Sequence, residues 1–362
     1  MKLDITEQML FALLRSALHG THADATIFAG ITSEAWQECS RLSVRQGVMA
    51  LAWDGLITLP TELQPPKSLK INWWLAVERC EKRYRYYCRV ISDLSTFYAT
   101  HGITAVQLKG VGFANNYPIP SHREGGDIDI FTYSSGLSDR EANSLADKLM
   151  RGRGIEVDFS HSQKHSMFYY KGIPIENHKK FLNTEIYRTA VSMDILLRKL
   201  LRPRLTVLDG KYEVLTPSPD FNTVFLAFHS ALGFAMHHLC DWACLLKKQG
   251  LKIPEGVTDE RFLNMIYALT HLCNRYLGTE VLVMKGGEEL AENLLKEMLH
   301  PTYNINVPAT GKWGILVYKL KRMLHIHRLC DSVMRVSLVK WLWISVIQHV
   351  RFPQSIFRRT VS

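Results

Sequence analysis

Residues 109–130 read KGVGFANNYPIPSHREGGDIDI, and the last four of them decide the fold. Asp127, Ile128, Asp129 and Ile130 alternate acid with aliphatic. On a β-strand, residues i and i+2 share a face, so Asp127 and Asp129 stand side by side while Ile128 and Ile130 enter the core. Two carboxylates held together repel unless a cation lies between them. Mg²⁺ takes oxygen ligands, usually one or two carboxylates plus substrate phosphates. The alternative is an edge strand with two solvated acids. Upstream, residues 104–109 (TAVQLK) read as a short strand, with Val106 and Leu108 on one face and Gln107 and Lys109 on the other. That strand ends at Gly110, and Gly112 follows. Glycines directly after a strand let backbone N–H groups close on a phosphate. Gly125-Gly126 leads into the acidic strand, and Arg123 is placed to grip a phosphate bidentately.

A glycine turn followed by an acid–aliphatic–acid strand resembles the layout of the polymerase-β-like nucleotidyltransferases. Lys109-Gly110, Tyr117-Pro118 and the run from Arg123 through Gly126 to Asp127-Ile128-Asp129-Ile130 resemble the uncharacterised nucleotidyltransferase family of that superfamily. The resemblance implies a third acid on a later strand, in an acidic-x-His pattern matched here by Glu176-Asn177-His178. Further on, TPSPD at residues 216–220, then His229, then Leu239-Cys240-Asp241-Trp242 resemble the family's helical half. The resemblance implies that His229 and Asp241 lie in the wall of the cleft. It covers residues 100–245, with two departures from better-studied members of the superfamily: Lys-Gly in place of Gly-Ser, and Glu as the third acid in place of Asp.

The implied activity is a nucleotidyltransferase moving a nucleoside monophosphate from an NTP to an acceptor hydroxyl or phosphate. Two Mg²⁺ ions would sit on Asp127, Asp129 and Glu176. Lys109, Gly110, Gly112, Arg123 and His178 would bind the nucleotide. The acceptor class (small molecule, protein or RNA) is left open, as is the oligomeric state.

The third carboxylate has two candidates. Residues 155–159, 165–170 and 173–178 read as strands, the last two joined by a tight turn at Lys171-Gly172. In the last strand Ile173 and Ile175 face one way, Pro174 and Glu176 the other. Proline fits only a strand start or an edge, which counts against a central Glu176. Asp158 competes from the first of these strands. Glu176 is preferred because its strand carries the acidic-x-His resemblance. His178 shares its face and is placed to orient the carboxylate or meet a phosphate; His165 is a further candidate.

The rest of the chain frames this unit. With 362 residues, 47% hydrophobic and 22% charged, it has the composition of a folded globular protein. A net charge of +10 points to an anionic partner. Seven cysteines without a regular framework, and a start (MKLDITEQML) without a signal-peptide layout, lead to the expectation of a reducing cytoplasm. The expected fold is α+β: a small mixed sheet at 101–202, an N-terminal helical region at 1–100, and a C-terminal hairpin with helices at 203–362. Within the long helix expected at 67–100, Lys82, Arg83, Arg85 and Arg89 alternate with Tyr84, Tyr86 and Tyr87. That is either an RNA surface or a set of inward tyrosines beneath a solvated charged face. Asp209-Gly210 marks the C-terminal hairpin. His237, Cys240, Asp241 and Cys244 share a helical face without a second ligand pair, so buried thiols are expected rather than zinc. The apolar run 333–350 is short and charged, which suits a core or interfacial helix, and the basic tail 351–362 would suit an anionic surface. Two other readings stand beside the enzyme: a non-catalytic nucleotide- or partner-binding module, and an RNA-binding or RNA-modifying protein.

Overall fold

The acidic strand lies near the middle of a seven-stranded sheet. The computed structural model describes residues 1–159, 164–184, 190–231, 233–303, 307–308, 311–351 and 357. The strands are β1 (Thr104–Gln107), β2 (Ile128–Tyr133), β3 (Val157–Asp158), β4 (His165–Tyr170), β5 (Ile173–His178), β6 (Arg204–Leu208) and β7 (Tyr212–Thr216). The helices are α1 (Ile5–His19), α2 (Ser33–Arg45), α3 (Met49–Leu56), α4 (Lys67–Ala99), α5 (Asp139–Gly152), α6 (Ala190–Leu200), α7 (Pro219–Ser230), α8 (Met236–Gln249), α9 (Glu260–Leu272), α10 (Glu288–Leu299), α11 (Lys312–Met334) and α12 (Leu338–Arg351).

The sheet is mixed, in the order β3-β4-β5-β2-β1-β7-β6. β2 runs antiparallel to β1 and parallel to β5. The two tight turns have the conformation that hairpins require. Lys171 and Gly172 sit at φ 50° and 79°, and Asp209 and Gly210 at 48° and 68°, as in a type I′ turn. The second hairpin does not stay with the C-terminal helices. Its strand β7 pairs with β1 at Val106↔Leu215 and extends the central sheet. Pro174 is accommodated because β2 begins pairing only at Ile128↔Ile175, so at Pro174 the strand has a neighbour on the β4 side alone.

Alternation sorts the sheet's two faces. Ile128, Ile130 and Ile175 pack into one core cluster with Tyr84, Ile91, Leu94 and Tyr98 of α4 and with Ala146 and Met150 of α5. Tyr84 and Tyr87 are buried as expected, whereas Tyr86 is exposed and donates to the Lys171 carbonyl at 2.7 Å. Ser138 caps α5 reciprocally with Glu141, which starts the helix where the sequence predicts. A buried polar set behind the sheet pins the register. Thr132 donates to Asn177 (3.1 Å), and Asn177 and Ser166 both donate to Asp147 (2.9 and 2.7 Å). A one-residue slip would turn these groups out of reach of one another.

The opposite face carries Val106 and Phe131, which join a larger core shared by α1–α3 and α7–α10. Phe131 stacks near Phe181 (4.6 Å), and Phe181 meets Phe221 of α7 edge-on (5.1 Å). In the N-terminal helical region α2 ends at Arg45, Gly47 turns the chain (φ 66°), and α3 starts at Met49. All seven cysteines are buried and free, in line with the buried-thiol expectation. The run 333–350 is also divided. Arg335 takes φ 51° between α11 and α12; Val333, Met334 and Val336 are buried, while Val339, Trp343 and Val350 are exposed. No helix among the described residues is long and apolar enough to cross a membrane. Most of the basic tail, 352–356 and 358–362, lies outside the described residues.

Candidate active site

Three carboxylates converge on the face opposite α4. Asp129 in β2 is fully buried, and Asp127, just before the strand, keeps 39% of its side chain exposed. Parallel pairing sets Asp129 opposite Glu176 on β5. Oxygens of Asp127, Asp129 and Glu176 lie within 4.8 Å of one another. Asp158 shares this row of the sheet, but Met167 stands between it and Glu176. Two strand spacings, about 10 Å, therefore separate Asp158 from Glu176. Glu176 is the carboxylate that the pairing brings to the Asp127–Asp129 pair.

Lys109 enters from an unexpected side. Simple alternation puts it on the face away from Val106, but β1 ends at Gln107 and the chain turns into a 3₁₀ segment, Gly110–Asn116. The Lys109 ammonium reaches 3.1 Å from Asp129 Oδ2 and 3.9 Å from Asp127 Oδ2. Burial opposes its charge, but Asp129, Asp127 and Glu176 outweigh that and raise its pKa. The turn is tight. A Cβ on Gly112 would lie 2.5 Å from Gln107 Cγ, so only glycine fits there. Gly110 has φ +63°, also a glycine conformation.

The carboxylates differ in electrostatics. Burial disfavours ionised Asp129, yet Lys109 and a hydrogen bond from His178 hold its carboxyl well below the usual range. Burial, and then the charge of Asp129, push Asp127 upward. Burial also opposes Glu176, but the His178 contact outweighs it and lowers its pKa. His178 is fully buried, with Nε2 at 2.9 Å from Asp129 Oδ1 and 3.5 Å from Glu176 Oε2. Its ring faces the carboxylates. His165 Nδ1 is 3.3 Å from Glu176, and burial pushes that imidazole down to about 4. Lys164 is half-buried beside the same cluster, and loss of solvation lowers its pKa too. Nothing in the sequence singles out Lys164, which stands one residue before β4 without a motif.

Arg123 corrects the sequence reading. Its Nε and Nη2 donate to the two oxygens of Asp241 at 2.9 and 2.6 Å, and Tyr117 donates to the same carboxylate at 2.7 Å. The bidentate grip expected for a phosphate is therefore made on α8, 118 residues away. Asp241 is 1% exposed, so this pair is buried. Arg123→Ala is expected to lower the unfolding free energy by about 3–5 kcal/mol in a urea titration, because it strands a buried carboxylate. Arg123→Lys should restore little of it, since a lysine cannot make the forked contact.

The loop bearing Arg123 is clamped on several sides. His122 Nδ1 is 2.8 Å from Asp54 of α3, and its Nε2 is 3.1 Å from Glu81 of α4. Glu124 accepts from Ala50 N–H at the start of α3 (3.1 Å), and Tyr87 donates to the Gly126 carbonyl (3.0 Å). Burial opposes protonation of His122, but the Asp54 and Glu81 contacts raise its pKa. Its contribution to stability is therefore complete below the ordinary value of 6.5 and is lost as pH rises through the raised folded value. The destabilisation caused by His122→Asn should accordingly be larger at pH 6 than at pH 9 in thermal melts.

Beside the acids lies a pocket of about 310 Å³. Its lining includes Lys109, Gly110, Gly125, Gly126 and Asp127 beside the acids, together with Arg83, Arg123, His229, His237, His238 and Asp241. In the basic segment of α4, Lys82 and Arg85 pair with Glu78 and Glu81 (3.1 and 3.5 Å), as on an ordinary solvated helix face. Arg83 departs from it by lining the pocket. Burial, with Lys109 and Lys164 adding to it, holds His229 well below its ordinary range. His238 packs on His237 (ring centroids 3.9 Å) and on His229 (5.1 Å). His238 carried no sequence signal.

Residues 32–278 match the family described as uncharacterised nucleotidyltransferase. The chain belongs to that family. The match to this nucleotidyltransferase family is wider than the motifs at 100–245. It takes in α3 and α4, whose Asp54 and Glu81 hold the Arg123 loop, and it leaves out α11 and α12. No curated protein and no solved structure matches the chain.

The family implies a divalent metal, and the donors present fit one. They are carboxylate oxygens, which suit a hard cation. Asp129 Oδ2 is buried and, among the described residues, makes no hydrogen bond; the Lys109 ammonium lies 3.1 Å away.

Proposed function

We propose that the pocket binds an NTP and that the chain transfers its nucleoside monophosphate to an acceptor hydroxyl or phosphate, releasing pyrophosphate. The observation that carries this reading is the convergence of Asp127, Asp129 and Glu176 within 4.8 Å, beside a pocket lined by a lysine and a glycine turn. Asp127, Asp129 and Glu176 are the residues that would hold two Mg²⁺, which when bound offset phosphate charge and sharpen the attacking oxygen as a nucleophile. In the reaction the acceptor oxygen bonds to the α-phosphorus as the bond to pyrophosphate breaks. Glu176 receives the proton of an attacking hydroxyl. His178, hydrogen-bonded to Asp129 and close to Glu176, keeps both carboxylates in place. Lys109 offsets negative charge between the acids and the phosphates, and the N–H of Gly110, which lines the pocket, donates to a phosphate oxygen, while the Gly112 N–H is held by the Lys109 carbonyl (3.2 Å) and keeps the turn closed. Arg83 adds positive charge to the pocket wall, where Arg123 is already neutralised by Asp241.

The test uses each of the four NTPs labelled at the α-phosphate, with Mg²⁺ and fractionated cell extract. Label should move to an acceptor from one NTP, with pyrophosphate released. Transfer from γ-labelled NTP, or no transfer with any fraction, would overturn the reading. Lys109→Ala should weaken NTP binding by about 1.5–3 kcal/mol, the scale of a charge-assisted hydrogen bond, in equilibrium dialysis. Unchanged affinity would place the phosphates elsewhere.

A further inference from the structure

We propose that His165, Glu176 and His178 form a second metal site, of mixed nitrogen and oxygen donors, which takes a transition-metal dication and shares Glu176 with the all-oxygen cluster. The donor atoms His165 Nδ1, Glu176 Oε2 and His178 Nε2 all lie within 4.8 Å of one another. His165 and His178 are 3.3 and 3.5 Å from the shared Glu176 oxygen. A dication bound at 2.0–2.2 Å by such donors sets neighbouring ligand atoms about 3.0–3.5 Å apart. The observed separations to Glu176 have that spacing without rearrangement.

The scaffold is rigid. His165 and His178 are directly paired across the β4–β5 ladder, and Glu176 is two residues from His178 on the same face. Two further observations point to a ligand. His165 Nδ1 is buried and makes no hydrogen bond among the described residues, although it lies 3.3 Å from Glu176 Oε2. The second nitrogen of His178, Nδ1, is 3.3 Å from the Lys180 carbonyl. In the metal-free chain Nε2 donates to Asp129 at 2.9 Å; a bound dication displaces that proton, and Nδ1–H then donates to the Lys180 carbonyl, the arrangement that ligating histidines commonly adopt. Imidazole nitrogens favour Zn²⁺, Co²⁺ and related ions over Mg²⁺. Three protein ligands also leave a coordination position open.

The test is a titration of the EDTA-stripped full-length chain with Co²⁺, followed by visible absorption and calorimetry. The expected result, with Mg²⁺ in large excess to fill the oxygen cluster, is one Co²⁺ per chain with bands of nitrogen–oxygen ligation, displaced by equimolar Zn²⁺. His165→Ala should weaken binding at least about tenfold. Asp127→Asn should weaken Co²⁺ binding less than His165→Ala does, because it removes a neighbouring charge within 4.8 Å of Glu176 but no ligand of this site. Far-UV spectra and melts check each variant. If His178→Ala fails to fold, His165→Ala and the wild-type spectrum decide. No Co²⁺ bound by wild type, binding indifferent to His165→Ala, ready displacement by Mg²⁺, or a larger loss in Asp127→Asn than in His165→Ala would each overturn the site. The inference does not rest on the proposed reaction. A chain that binds Co²⁺ here and transfers no nucleotide keeps the site and loses the function.

Discussion

Asp127→Asn is expected to eliminate nucleotidyl transfer while leaving the unfolding free energy within about 0.5 kcal/mol of wild type. The reason is the unequal placement of the two aspartates. Asp127 keeps 39% of its side chain exposed, and burial with the charges of Asp129 and Glu176 works against its ionisation. Removing its charge relieves repulsion in the resting protein, so the variant folds. Loss of one electrostatic element from a site of this kind typically lowers turnover about 10²–10³-fold. Asp129→Asn should behave differently. That carboxylate is fully buried between the Lys109 ammonium and His178. Its neutralisation leaves a buried cation with Asp127 at 3.9 Å as the nearer remaining acid, and should cost about 3–5 kcal/mol of stability on top of activity. Urea titrations beside single-turnover assays separate the two effects. Wild-type turnover in Asp127→Asn would sink the assignment of this cluster as the reaction centre.

Glu176→Gln is expected to slow the chemical step about 10²–10⁴-fold, the range for a general base, with NTP affinity changed only severalfold. Asp158→Asn should stay close to wild type. Both acids lie on the same row of the sheet, but Asp158 sits on the edge strand β3, beyond Met167, and is outside the group of converging carboxylates. Pre-steady-state kinetics with saturating NTP distinguish a slowed chemical step from weakened binding. Equal losses in the two variants would mean that Asp158 has a part the strand pairing does not account for.

The pairing that favours Glu176 also shows why the sequence left two candidates open. Period-two alternation marks which residues share a face, and it did so correctly for Ile128, Asp129, Ile130 and Glu176. It does not say which strand lies next to which. β5 is third in the sheet order and adjacent to β2, although some forty residues and two other strands separate them in the chain. Pro174 seemed to argue for an edge, but the staggered start of β2 leaves its missing N–H without a ladder partner to lose on that side.

Lys109 is a second case. Strand periodicity assigned it to the wrong face because periodicity holds only while the strand lasts, and β1 ends two residues earlier. Arg123 is a third. Its position before the acidic strand suggested a phosphate contact, whereas a carboxylate on α8 takes both arms of the guanidinium.

Signals that act over a few residues were readable directly: the capping box at Ser138, the type I′ turns at 171–172 and 209–210, the length of α4, and the paired acids themselves. Their causes are local sterics, backbone hydrogen bonds and side-chain period. Contacts between distant segments were decided only on folding. The hairpin β6–β7 joins β1, α1–α3 share a core with α7–α10, and Lys164, His229 and His238 are gathered around one cluster. Burial of apolar surface is non-directional and names no partner, so the amphipathic faces that drive this assembly do not encode which of them will meet.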